Sequence, residues 1–165
     1  MHRRSRLAMF AALLAVPGFA TACGGGDDDD ATDGTADGDA GIGCREDPRA
    51  ETFVANMEHA GTGGLLTFVL EDGAPAPPIK GTNTWNVQIL DAAQEPVSGA
   101  TVTVRPFMPD HGHGTSVVPQ VTAGQAGEYT IASLYFFMPG LWEVTINAEA
   151  GDTADTVKFS FCIQG

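Results

Sequence analysis

The sequence predicts an all-β domain, an antiparallel β-sandwich of seven to eight strands, over residues 44–165. Three observations carry this. Short β-rich runs follow one another at regular spacing, separated by turn signals. Apolar residues alternate along several runs, which buries one face of a strand. The chain holds 21 Gly and 10 Pro in 165 residues, and both destabilise helix interiors.

The strands are expected at about 51–58, 64–70, 83–90, 100–105, 116–122, 127–133, 141–148 and 154–163. Trp85, Val87 and Ile89 share one face, as do Val102 and Val104. So do Trp142, Val144 and Ile146, and near the end Val157, Phe159 and Phe161. Gly61–Gly64 and Gly124–Gly127 read as turns, and Ala74–Pro78 as a Pro-rich extended link. No run of helical period exceeds two turns, and no internal repeat is visible.

Two segments precede this domain. Arg3, Arg4 and Arg6 lead into an apolar run, Leu7–Phe19, then Ala20-Thr21-Ala22 before Cys23. A basic start, a short apolar stretch and an A-x-A site mark residues 1–22 as an export signal. The run is too short to span a bilayer, which takes about 20 residues. Small residues ending in Ala-Cys resemble a bacterial lipobox, with Cys23 lipidated as the mature N-terminus. Ala20 stands where that pattern usually has Leu, and ordinary cleavage giving a soluble secreted protein is the alternative. Residues 23–43 would then be the lipidated Cys23 and a tether with seven Asp and no Lys or Arg. Such a segment cannot bury apolar surface and is expected to be disordered, with ends roughly 25 Å apart as a flexible coil. The expected location is the bacterial envelope, anchored to a membrane through the N-terminal lipid. Gly24 after Cys23 is compatible with sorting to an outer membrane, facing the periplasm or the surface.

The three cysteines fit that reading. If Cys23 carries the lipid, Cys44 and Cys162 remain, and an oxidising compartment allows them to pair. Two unpaired thiols are the alternative.

The net charge of −13 argues against nucleic acid as a partner, because phosphates need a basic face. A third of the acidic side chains lie in the tether; residues 44–165 hold 14 acidic against five basic side chains.

An ordered set of short motifs runs through the domain. Asn83-Thr84-Trp85-Asn86-Val87 is followed by Pro96-Val97-Ser98-Gly99-Ala100-Thr101-Val102. Met108-Pro109-Asp110-His111-Gly112-His113-Gly114 comes next, then Gly127-Glu128-Tyr129 and Phe137-Met138-Pro139-Gly140-Leu141-Trp142. This order resembles the YtkA-like domain, akin to the FixH family, over about residues 64–149. The resemblance implies an immunoglobulin-like sandwich of the bacterial envelope. FixH-like proteins are associated with cation pumps and the assembly of copper-containing oxidases, so a copper-handling or oxidase-assembly partner is the corresponding expectation.

The candidate metal ligands are Met108, His111, His113 and Met138. Thioether and imidazole together suit copper. In an extended segment His111 and His113 would point the same way. Strand parity places the 106–115 and 134–140 loops, and the 71–82 link, at one end of the sandwich. It places Met57 and His59 near the other, and brings Cys44 beside Cys162 if 51–58 is a strand. A solvated His-Gly-His turn and a core Met are the plainer alternatives. Tyr135, Phe136 and Phe137 are hard to bury together and suggest an exposed patch facing a partner. No serine stands in a G-x-S-x-G elbow and no phosphate loop is present, so no enzymatic role is expected.

Overall fold

The computed structural model describes residues 43–165. The export signal, Cys23 and nearly all of the tether lie outside the described residues. Nine strands follow in order: β1 (Met57–Ala60), β2 (Leu66–Ala74), β3 (Gly81–Asp91), β4 (Thr101–Met108), β5 (His113–Gly114), β6 (Gln120–Ala123), β7 (Glu128–Phe136), β8 (Gly140–Ala150) and β9 (Thr153–Ile163). They form two antiparallel sheets, β1-β2-β3-β7-β6 and β5-β4-β8-β9.

The period-two pattern sets the inward faces. Trp85, Val87 and Ile89 from β3, Ile131 and Leu134 from β7, Val144 and Ile146 from β8, and Val157, Phe159 and Phe161 from β9 are all buried. Trp85 stands between the sheets. Its ring lies 6.2 Å from Phe159 and 5.5 Å from Phe161, both edge-on, and 6.3 Å from Phe136. Edge-to-face pairs of this kind add to burial because the positive rim of one ring meets the negative face of the other.

The first expected strand is a correction. Residues 51–58 do not form one strand: Asn56 adopts a φ of 62°, which breaks the extended run. Glu51 makes a single parallel bridge to Phe161 of β9, and only from Met57 does the chain pair with β2. Val54, apolar in sequence, is 60% exposed. The expected 116–122 strand is likewise shortened to β6, with the two residues of β5 before it.

The start of the domain nonetheless reaches its end, because Cys44 and Cys162 form a disulfide across 118 residues. Closing a loop of that size contributes on the order of 4–5 kcal/mol in the chain-entropy account.

A second tie to β9 is electrostatic. The buried Asp155 carboxylate accepts backbone N–H bonds from Gly63, Leu65, Leu66 and Thr156 at 2.7–3.0 Å. Gly61 has no side chain because that carboxylate occupies its place: a Cβ there would lie 2.3 Å from Asp155. Burial pushes the Asp155 carboxyl up, but the four N–H donors outweigh it and hold the group below its ordinary value.

That direction fixes a pH dependence. A carboxyl depressed in the folded state stabilises fully above the unfolded value of about 4 and loses its contribution as pH falls through the lower folded value. Denaturant midpoints measured from neutral pH down to pH 2 are expected to fall more steeply for the native chain than for Asp155→Asn. At neutral pH Asp155→Ala is expected to cost about 2–3 kcal/mol, from loop amides left unpaired.

Candidate functional site

Four connections gather at the end of the sandwich that holds the β4–β5 turn. They are the stretches 75–80, 109–112, 137–139 and the start of 115–119. The turn is built on one acceptor. The Met108 carbonyl takes N–H bonds from His111 at 3.3 Å and Gly112 at 2.9 Å. Gly112 has a φ of 69°, which a residue without Cβ adopts freely. The chain then pairs back on itself, Met108 opposite His113 and Phe107 opposite Gly114.

The two histidines therefore do not share an extended segment, as the sequence suggests; a left-handed glycine turn lies between them. The turn still brings them together, with ring centroids 5.6 Å apart. Both are exposed. Among the described residues neither imidazole makes a hydrogen bond or an ion pair. His113 stacks on Phe137 at 5.6 Å, and Phe137 meets Trp142 edge-on at 5.5 Å. A cleft of about 440 Å³ runs beside them, lined by His113, Gly114, Thr115, Ser116, Tyr135 and Phe137.

The methionines are placed differently. Met108 is wholly buried. Its methyl group fills the space beside Gly140, whose Cβ would lie 2.6 Å from Met108 Cε. Met138 is half-buried against the core. Its carbonyl accepts the Trp142 Nε1–H at 3.0 Å, which fixes the 137–139 loop. The four residues thus lie at one end of the sandwich, the imidazoles exposed and Met108 buried. Among the described residues no three His, Cys, Asp or Glu side chains cluster closely enough to hold a metal ion.

Of the expected aromatic patch, Phe136 is wholly buried, Tyr135 is half-buried and Phe137 is 38% exposed. Phe136 faces inward because it alternates with Tyr135 along β7 and packs on Trp142 at 5.2 Å. Met57 and His59 sit apart on β1. The His59 ring stacks on Phe159 at 4.7 Å, and its Nε2 lies 3.0 Å from the Glu51 carboxylate.

Two residues not singled out in the sequence bear on the loop. Arg49 binds Asp110 through two contacts at 2.8 and 2.9 Å, and Asp47 at 2.6 Å. Hydrogen bonds from the Arg49 side chain and backbone bring the Asp47 carboxyl down to about 2. Arg49 and Asp110 stand 61 residues apart, so no local pattern announces the pair.

The motifs at the opposite end are engaged with one another. The Tyr129 hydroxyl donates to the Val97 carbonyl at 2.9 Å and accepts from Ala100 N–H at 2.8 Å. Ser98 Oγ accepts from Gly127 N–H at 3.1 Å, and a Cβ on Gly127 would strike Ile89 O at 2.8 Å. At the histidine end, Asn83, fully buried, donates to the Ile79 and Gly81 carbonyls and accepts from Ile79 N–H. These motifs are accounted for by folding; the exposed imidazoles are not.

Residues 66–147 match the family model described as YtkA-like. No curated protein matches the chain significantly. Among solved structures, the Lin-41 filamin domain is similar at 21% identity and a TM-score of 0.37, covering 52% of this chain and 79% of that one. As-isolated FetP of uropathogenic E. coli strain F11 is similar at 15% identity and a TM-score of 0.41, covering 71% and 95%. Likeness at this level says nothing of function.

Met108 is packed against Gly140. Met108→Leu conserves volume and is expected to change unfolding free energy by less than about 1.5 kcal/mol. Gly140→Ala, which drives a Cβ into the Met108 methyl at a φ of 134°, is expected to destabilise clearly. Thermal and denaturant unfolding of the two variants checks this.

Proposed function

We propose that this chain, whose residues 66–147 form a YtkA-like domain, is a cell-envelope protein that binds or passes copper at the histidine end of the sandwich. The YtkA-like domain and the Cys44–Cys162 disulfide fit an envelope protein, since disulfides persist in oxidising compartments. The finer reading adds a lipid on Cys23 that tethers the domain to a membrane, and a copper-handling or oxidase-assembly protein as partner.

One observation carries the metal reading. His111 and His113 lie 5.6 Å apart, exposed, on a turn shaped by glycine, with no internal bond among the described residues. An exposed histidine pair whose ring nitrogens are unbonded among the described residues is a donor pair. Copper accepts neutral imidazole in both oxidation states, and thioether sulfur favours Cu(I). His111 and His113 are the outer ligands in this proposal. Met138 supplies a half-buried thioether, and Met108 a buried one beneath the 138–140 loop. The role is non-enzymatic: the residues hold a metal ion and release it to a partner.

A second reading draws on a different observation. Ile79 is 51% exposed and Phe137 38%. In this reading the same end is a docking face without metal, with Tyr135 at its margin.

Titration of the full chain with Cu(II), and with Cu(I) under a competing chelator, separates the two. Copper binding that is lost in the His111→Ala/His113→Ala variant supports the metal site; binding unchanged in that variant sinks it. The docking reading instead expects no shift of melting temperature with copper, and loss of a captured envelope partner on Phe137→Ala.

A further inference from the structure

We propose that Arg49 is a positioning residue for the histidine turn, and that the Cys44–Cys162 disulfide holds it in place, so that the redox state of this bond controls the site. The inference rests on the copper reading for its consequence, but not for its geometry.

The disulfide fastens Cys44 to the end of β9. From there the chain folds into two tight turns, with Asp47 N–H donating to the Cys44 carbonyl and Ala50 N–H to the Asp47 carbonyl. Arg45 Nε donates to Gln164 Oε1 at 2.8 Å, a second contact with the segment after β9. Glu51 then bridges to β9 by donating to the Ser160 carbonyl. Residues 44–51 are thus a short strap fixed at both ends to one strand. Asp47 binds the Arg49 guanidinium from its own side of the strap. That leaves the remaining edge of the guanidinium for Asp110, which it meets with two nitrogens on two oxygens. A planar fork held on both carboxylates has little freedom to turn.

The histidine turn depends on this contact. It projects from the sheet, exposed from Asp110 to His113. Within the turn, the bonds to the Met108 carbonyl fix the backbone. Asp110 immediately precedes His111, so the Arg49 fork fixes the outer side of the turn. An exposed ion pair is too weak to order a free segment by itself. A covalent anchor removes that cost, because the strap cannot leave while Cys44 is bonded.

Reduction releases one end. A dithiol reductant supplies two electrons and two protons: the Cys44–Cys162 bond breaks, two thiols form, and the reductant's two thiols join as a disulfide. Cys162 is the less buried residue of the pair. With Cys44 free, Arg49 loses its fixed bearing on Asp110, and the spacing of His111 and His113 is no longer held.

The test uses the full chain and two readouts. The first, without metal, is the ring resonances of His111 and His113 by long-range nitrogen–proton NMR. The second is affinity for Cu(II). The variants are Arg49→Ala, Arg49→Lys and Cys44→Ser/Cys162→Ser, each checked for cooperative unfolding. The expected result is moved ring resonances and Cu(II) affinity weaker by about fivefold or more in Arg49→Ala and in the cysteine variant. Arg49→Lys is expected to recover part of both. Ring resonances unmoved in Arg49→Ala, or unmoved in the cysteine variant, overturn the proposal. If the cysteine variant fails to fold, metal-free reduction of the native chain by a dithiol reads the same resonances. If the native chain binds no copper, the copper reading falls while the resonances still decide the strap.

Discussion

The last strand, β9, pairs with β8 over eleven residues, and among the described residues no strand lies along its other side. A free edge exposes backbone donors and acceptors that must be satisfied or shielded. Here it is covered piece by piece from the first part of the domain. Thr62 N–H donates to the Thr156 carbonyl, and His59 Nδ1 lies within 3.4 Å of the Lys158 carbonyl. Glu51 bonds Ser160 with both its backbone N–H and its carboxylate, and Cys44 closes the series at Cys162. Asp155, on the same strand, fixes the turn before β2. The cover joins the margins of the two sheets, and its last section carries Arg49 to the histidine turn.

The two ends of the sandwich differ in what their motifs do. At one end Tyr129, Gly127, Ser98 and Val97 are bound to each other, and their residue types follow from steric fit and hydrogen bonding. At the other end the glycines are equally constrained: Gly114 approaches Pro106 O and Gly140 approaches Met108. Those contacts fix the backbone around His111 and His113 while leaving the rings themselves unbonded among the described residues. A rigid frame carrying accessible imidazoles is what a binding site needs, since ligands held by packed backbone need little further ordering.

Much of the fold was legible because strand alternation is a local signal. The faces formed by Trp85, Val87 and Ile89, and by Val157, Phe159 and Phe161, are read directly from spacing two, and all are buried. Loop parity followed from counting strands, and it gathered Met108, His111, His113 and Met138 at one end. The 51–58 stretch misled because Phe53, Val54 and Met57 resemble a strand in composition, while Asn56 turns the chain between them. Tyr135–Phe137 misled in part, because alternation along β7 sends Phe136 inward between neighbours that face outward.

Sequence alone was enough for the strand faces and the order of the turns, because these depend on neighbours a few positions away. Tertiary structure alone decided how the candidate site residues are presented. It placed Met108 in the core under Gly140, and bent the His111–His113 segment at a left-handed glycine. It covered the edge of β9, and set Arg49 against Asp110 across 61 residues. Contacts of that range have no local signature; they exist only once the sheets have stacked and the disulfide has brought the first residues of the domain to its last strand.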